Sequence, residues 1–218
     1  KEREYIEMLE ANQVDGIISG SHNLGIEDYN RVTAPIIAFD RNLSPEIPVV
    51  SSDNYAGGVL AAETLAKTGA EKIIMITGND NSNSPTGLRH AGFASVLPKA
   101  PIINVSSDFS PVRKEMEIKN ILTRQKPDAI FASDDLTAIL VIKIAQELGI
   151  SVPEELKVIG YDGTYFIENY YPQLATIKQP LEEIACLTVD LLLQKIEGKE
   201  VSTTGYFLPV TLLPGKSI

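Results

Sequence analysis

The sequence predicts a doubly wound α/β fold with parallel sheets, distributed over two lobes. Short, continuous apolar runs (GIIS, IIAF, KIIMIT, AIFAS, KVIGY) recur along it, as strands covered on both faces require. Helical stretches with recognisable starts and stops separate these runs. Strand, helix, strand in that rhythm implies right-handed crossovers. There are also more strand candidates than one sheet in 218 residues comfortably uses, and 51–53 and 178–180 are short links suited to crossings between lobes.

Taken in order, 1–10 (KEREYIEMLE) is a charged amphipathic helix with Tyr5, Ile6, Met8 and Leu9 as its apolar members. It carries no signal segment, and it is expected to lie partway into a domain. Strands are expected at 14–19, 35–40, 49–52, 72–77, 102–105, 129–133 and 157–161. The helix 55–67 opens after Asp53 and ends before Gly69. Another, 111–125, starts with Pro111 at its first position, and 136–148 runs from Asp135 to Gly149. A last one, 181–197, lies between Pro180 and Gly198, and 204–213 reads as a late, returning strand. Asp53 and Asp135 are read as helix caps, and Cys186 as core. The division that follows is 1–52 with 180–203 for an incomplete first lobe, and 53–179 with 204–218 for the second.

Nineteen basic against twenty-nine acidic residues give a net charge of −10, which argues against a broad grip on nucleic acid. One Cys and two His supply neither a disulfide framework nor a zinc cluster. No apolar run approaches the roughly 18–20 residues of a spanning helix, so a soluble, cytoplasmic protein without membrane association is expected. Enzymatic patterns fail on specifics. Gly58 lies in a GG pair within a helix and not in a GxGxxG turn, and neither GKS, GKT nor GxSxG occurs. Asp134 and Asp135 diverge at a helix start, and His22 and His90 have no nucleophile to serve. No enzyme activity, metal or cofactor is expected.

Ligands of open α/β sheets bind beyond the carboxyl ends of the strands. The residues there are Asp40 and Arg41, then Arg89 on a helix after a polar loop 78–87, then Asp108 and Phe109. Ser133, Asp134 and Asp135 follow, then Asp162, with Lys178 and Gln179 before the last helix. A carboxylate accepts from neighbouring hydroxyls, an Arg fork donates to two oxygens in one plane, and an aromatic face covers the C–H side of a sugar ring. This is polyol chemistry.

With VDGIIS, APIIAFDR, SSDNYAGGVLAAETLAKTGAEKIIMITG, RHAGF, PDAIFASDDLTAI and GISVPEELKVIGYDGTYFIENYYPQLATIKQP in that order, the chain resembles the effector-binding core of the LacI/GalR family of bacterial transcriptional regulators. The resemblance implies two Rossmann-like lobes of the periplasmic-binding-protein type, joined by three crossings, with a sugar between them. It assigns Asp40 and Arg41 to the first lobe's side, Arg89, Phe109, Asp134 and Asp162 to the second, and Gln179 to a crossing. Ribose is the first sugar implied, a fructose- or sucrose-type sugar the second. The family often has Asn at the place of Asp134. The aromatic cluster Tyr165, Phe166, Tyr170 and Tyr171 is read as the surface of a homodimer. Operator DNA would be met only through a helix-turn-helix headpiece outside these residues. The family's first strand, first helix and second strand are likewise expected outside them. The connection from Phe93 to Ile102 is short for a crossover, so either residues are missing there or the helix is abbreviated. As a residue lining a cleft, Arg89 is expected to be replaceable by Ala with little change in thermal unfolding. An extracytoplasmic sugar-binding protein of a transporter and a family regulator answering to a phosphorylated carrier protein are the competing functions.

Overall fold

The computed structural model describes residues 2–21, 29, 32–78, 84–105 and 111–218. Element order is α1 (Glu2–Ala11), β1 (Ile17–Ser19), β2 (Ile36–Phe39), β3 (Val49–Ser52), α2 (Asn54–Lys67), β4 (Ile73–Thr77), α3 (Pro85–Val96) and β5 (Ile102–Asn104). There follow α4 (Pro111–Asn120) with a π-helical turn (Ile121–Gln125), β6 (Ala129–Ala132), α5 (Asp135–Glu147), β7 (Lys157–Asp162) and α6 (Tyr165–Tyr170). The chain ends with β8 (Ala175–Lys178), α7 (Leu181–Ile196), β9 (Tyr206–Leu208) and β10 (Thr211–Leu213). Two units result, 1–53 with 180–209 and 54–179 with 210–218.

In the first unit the sheet order is β1-β2-β3-β9, with every pair parallel. Successive side chains of a strand point to opposite faces. Ile36, Ala38 and Val49 therefore pack with Ile6 of α1 and Ile17, while Ile37 and Val50 pack with Ile184 and Leu191 of α7. Covering on both faces is what the unbroken apolar strands imply. Cys186 is a correction: it is exposed. The buried line of α7 is Ile184, Thr188 and Leu191, and two residues beyond Ile184 a helix has turned about 200° away from that line.

The second unit holds a six-stranded sheet, β10-β8-β7-β6-β4-β5, parallel except for the antiparallel β10–β8 pair. Ile74, Ile76, Ile130, Ala132 and Val158 face α4 and α5. Ile73, Met75, Phe131, Ile159, Tyr161 and Ile177 face α2 and α3. Helices α2 and α3 meet backbone to backbone, since a Cβ on Gly58 would lie 2.1 Å from the Arg89 carbonyl oxygen and one on Gly92 2.1 Å from that of Tyr55.

Several boundaries differ from the sequence reading. The single strand expected at 204–213 is two: β9 joins β3 of the first unit and β10 joins β8 of the second. Residues 204–209 accordingly belong to the first unit. Pro209, which has no N–H to give a ladder, stands at the break. The crossover before β5 is complete: α3 has 12 residues, is capped by Ser84 accepting from Gly87 N at 3.0 Å, and has Pro85 in its first turn. It begins inside the stretch read as loop, so nothing needs to be missing between Phe93 and Ile102. The cap of α5 is Asp134, not Asp135. The short elements α6 and β8 were not anticipated.

Candidate functional site

The second sheet reverses its winding between β4 and β6: β4 leads through α3 to β5 on one side, and β6 through α5 to β7 on the other. Such a reversal opens a crevice at the carboxyl ends of the two strands. Arg89, on α3, sits there with only 7% of its surface exposed. Its Nε donates to Asn54 Oδ1 at 2.8 Å and its Nη1 to the Ser133 carbonyl at 2.8 Å, across the reversal. Its Cζ lies 3.7 Å from the centre of the Tyr161 ring, a cation–π contact in a desolvated setting. Tyr161 in turn donates its hydroxyl to Asn54 Oδ1 at 3.2 Å. Nη2 is directed to Asp162 Oδ1, 3.9 Å away. The fork is thus held on three sides before any ligand arrives.

Asp162 ends β7 with φ of 126°, a backbone conformation costly for a residue with a side chain. Gln179 holds it twice, through the backbone (Gln179 N to Asp162 O, 2.9 Å) and the side chain (Gln179 Nε2 to Asp162 Oδ1, 2.7 Å). Asp134 accepts from Thr137 N and from Thr137 Oγ1, both at 2.7 Å, and Lys114 Nζ donates to the same hydroxyl at 2.7 Å. In the first unit, Arg41 N donates to Phe39 O at 2.7 Å, closing a γ-turn around Asp40 at φ 62°. Arg41 Nε is buried with no hydrogen-bond partner among the described residues. A buried donor without an acceptor is costly in a native fold and is a reasonable mark of a ligand position. Phe39, directly before this turn, is 42% exposed.

Asp135, the first residue of α5, is 3% exposed. Its Oδ2 accepts from Gly163 N at 2.7 Å and its Oδ1 from Thr176 Oγ1 at 2.6 Å. Burial pushes its pKa from 3.8 up to about 7, against the pull of those two bonds, and the charges of Asp162 and Asp134 raise it further. A carboxyl whose pKa is higher folded than unfolded supports the fold fully below pH 3.8, and that support is lost as the pH rises through about 7.

The family profile of the periplasmic binding protein-like domain matches residues 62–218. A sucrose operon repressor of Streptococcus mutans is 63% identical over 218 residues, all of this chain and 68% of that protein. The chain belongs to the LacI/GalR family. A ribose operon repressor of Halalkalibacterium halodurans is 33% identical over 98% of this chain and 65% of its own length. The chain therefore spans about two thirds of these LacI/GalR repressors. Among solved structures, a periplasmic binding protein/LacI transcriptional regulator from Alkaliphilus metalliredigens, complexed with D-xylulofuranose, superposes with a TM-score of 0.85 at 31% identity, covering 99% of this chain and 82% of that one.

Of the residues that the LacI/GalR resemblance nominates, Arg89, Asp162 and Gln179 form one connected group, and Asp134 follows the Ser133 carbonyl that Arg89 binds. Asp40 and Arg41 stand together in the first unit. Phe109 and His22 lie outside the described residues. Asn54 and Tyr161 are not among the site residues nominated from the sequence, and Asp135 is read there only as a helix cap. The doubled Asp at the start of α5 was a usable signal, since one cap position takes only one of the two.

Proposed function

We propose that this chain is the sugar-sensing core of a bacterial operon repressor and that its effector is a sucrose- or fructose-type sugar. The observation that carries the reading is the Arg89 fork, buried, fixed by Asn54, Ser133 and Tyr161, and aimed at the strained Asp162. A fixed donor fork beside a fixed acceptor loses little freedom on binding vicinal hydroxyls. The proposed sugar ligands are Arg89, Asp134, Asp162 and Gln179 in the second unit, with Phe109, and Asp40 and Arg41 in the first. The greater likeness to the sucrose operon repressor, 63% against 33% for the ribose operon repressor, favours a sucrose-type sugar over ribose. Calorimetric titration with sucrose, fructose, ribose and other pentoses and hexoses tests this. Heat with sucrose or fructose is expected. Tightest binding of ribose overturns the choice of sugar, and no heat from any of them overturns the sugar reading.

In the whole protein the sugar would favour one of two conformations by its differential affinity, and operator affinity would follow that shift. No catalytic step is part of this reading. The protein would act in the cytoplasm on operator DNA, and no helix among the described residues is long and apolar enough to cross a membrane. The proposed homodimer surface is centred on α6. Tyr165, Phe166 and Tyr170 are 76%, 49% and 66% exposed, and the Phe166 ring stacks on Tyr170 at 5.1 Å and leans on Tyr171 at 6.0 Å. Sedimentation is expected to show a dimer that Phe166→Asp converts to monomer. A dimer unaffected by that change places the interface elsewhere.

A further inference from the structure

We infer that Asp135 is a positioning residue, which holds Asp162 and Gln179 in their ligand-ready arrangement while touching no sugar itself. The inference rests on the sugar-sensing reading. Its geometry is that of a brace. From the first turn of α5 the carboxylate reaches Gly163 N, the amide immediately after Asp162, and Thr176 Oγ1 on β8, the strand that leads to Gln179. It thus ties three segments that carry proposed ligands: the cap at Asp134, the end of β7 and the end of β8.

The surroundings are shaped around this side chain. A Cβ on Gly160 would lie 2.3 Å from Asp135 Oδ1, so the strand has no side chain where the carboxylate rests. Gly163, at φ 59°, turns the chain directly after the strained Asp162. A conformation such as that of Asp162 persists only where its neighbours over-determine it. Here the neighbours are Gln179 on one side and, through Gly163, Asp135 on the other. An N–H bond to an ionised acceptor is about twice as strong as one to a neutral acceptor. When ionised, Asp135 therefore adds a charge-assisted restraint on the turn to the two bonds from Gln179.

That charge also works against the fold. The charged groups around Asp135 are Asp162 on β7, Asp134 at the cap of its own helix, and the Lys178–Glu168 ion pair beside Gly163. Arg89 and Lys114 stand one side chain further out, against Asp162 and Thr137. The two carboxylates nearest Asp135 oppose its ionisation, and burial opposes it more. The restraint that the ionised carboxylate puts on the turn is thus set against the cost of ionising it.

The test uses Asp135→Asn, which keeps shape and burial, removes the charge, and turns one acceptor oxygen into a donor that the rotatable Thr176 hydroxyl can accept. In the unmodified chain, sugar affinity measured by calorimetry should fall as the pH is lowered through about 7. In Asp135→Asn it should be lower by about tenfold or more at pH 8 and flat across that range. Thermal unfolding of the variant at pH 8 should be unchanged or shifted upward, because a buried charge has gone. Affinity and stability moving in opposite directions is the signature of positioning. A folded Asp135→Asn chain with unaltered affinity overturns the inference. Thr176→Val provides a second route if Asp135→Asn does not fold: loss of that hydroxyl should weaken sugar binding, and undiminished affinity again overturns it. No sugar binding by the unmodified chain would be a failure of the sugar reading instead, and is distinguished by that control.

Discussion

Arg89→Ala should abolish sugar binding and destabilise the second unit at the same time. Truncation removes the donor fork, so calorimetry should show no heat with the sugar that the unmodified chain binds. It also strips Asn54 Oδ1 of its bond to Nε, leaves the Ser133 carbonyl without the Nη1 donor, and uncovers the Tyr161 face. The Ser133 carbonyl, left without that donor, costs about 1–3 kcal/mol, while Asn54 Oδ1 keeps the Tyr161 hydroxyl. The total loss is expected at about 2–4 kcal/mol, read as a lower urea midpoint. Little change in thermal unfolding is the expectation for a residue that only lines a cleft; the bonds of Arg89 across the sheet's reversal replace it with a loss. Arg89→Lys separates the two roles. Lys keeps a charge over the ring but has no planar fork, so it should recover part of the stability and little of the affinity. Sugar binding retained by either variant would remove Arg89 from the ligand set.

Gly92→Ala should be as damaging, although it lies on no proposed ligand. In an exposed helix, Gly to Ala is worth about 1 kcal/mol in favour of Ala. At this position the added methyl would sit 2.1 Å from the Tyr55 carbonyl oxygen, inside van der Waals contact with backbone that no rotamer change can move. Helices α2 and α3 must separate to admit it. The reciprocal contact, Gly58 on the Arg89 carbonyl, means that separation drags Arg89 with it. A fall of about 3 kcal/mol or more in the unfolding free energy is expected, together with weakened sugar binding. A Gly92→Ala chain as stable as its parent would refute the close approach of the two helices.

Strands that are apolar on both faces were legible, as at Ile73–Thr77 and Lys157–Asp162, whereas β8 and the division of 204–213 into β9 and β10 were not. Helix caps were less legible: Asp135 was read where Asp134 is the cap of α5, and the Ser84 cap of α3 lay in a stretch read as loop. Position after a strand nominated Asp162, while Arg89, on a helix, and Gln179, before one, were assigned to the site with the family resemblance. What was not legible is the support beneath them. Asn54 reads as a helix-start amide and Tyr161 as an alternating strand aromatic. Their meeting at the Arg89 guanidinium depends on how closely α2, α3 and β7 approach, set by Gly58 and Gly92 between the helices and by Gly57 against Tyr161. The strain at Asp162 and Asp40 is likewise a property of backbone torsion that residue type does not announce.

The chain passes between its two units three times, at 53/54, 179/180 and 209/210. Each unit is therefore discontinuous in sequence, and each is finished by residues made late. The first waits for α7 and β9. The second waits for β10 and for Ser217, whose hydroxyl donates to the Val158 carbonyl at 2.6 Å and accepts from Ala175 N at 2.8 Å. At roughly 5–20 residues added per second, the ribosome exposes the apolar strands β2 to β4 for on the order of ten seconds before their last partners emerge. The first sheet is complete only once β9 has emerged, and the second only once β10 has. That interval of exposed apolar strand is an aggregation hazard separate from the stability of the finished fold.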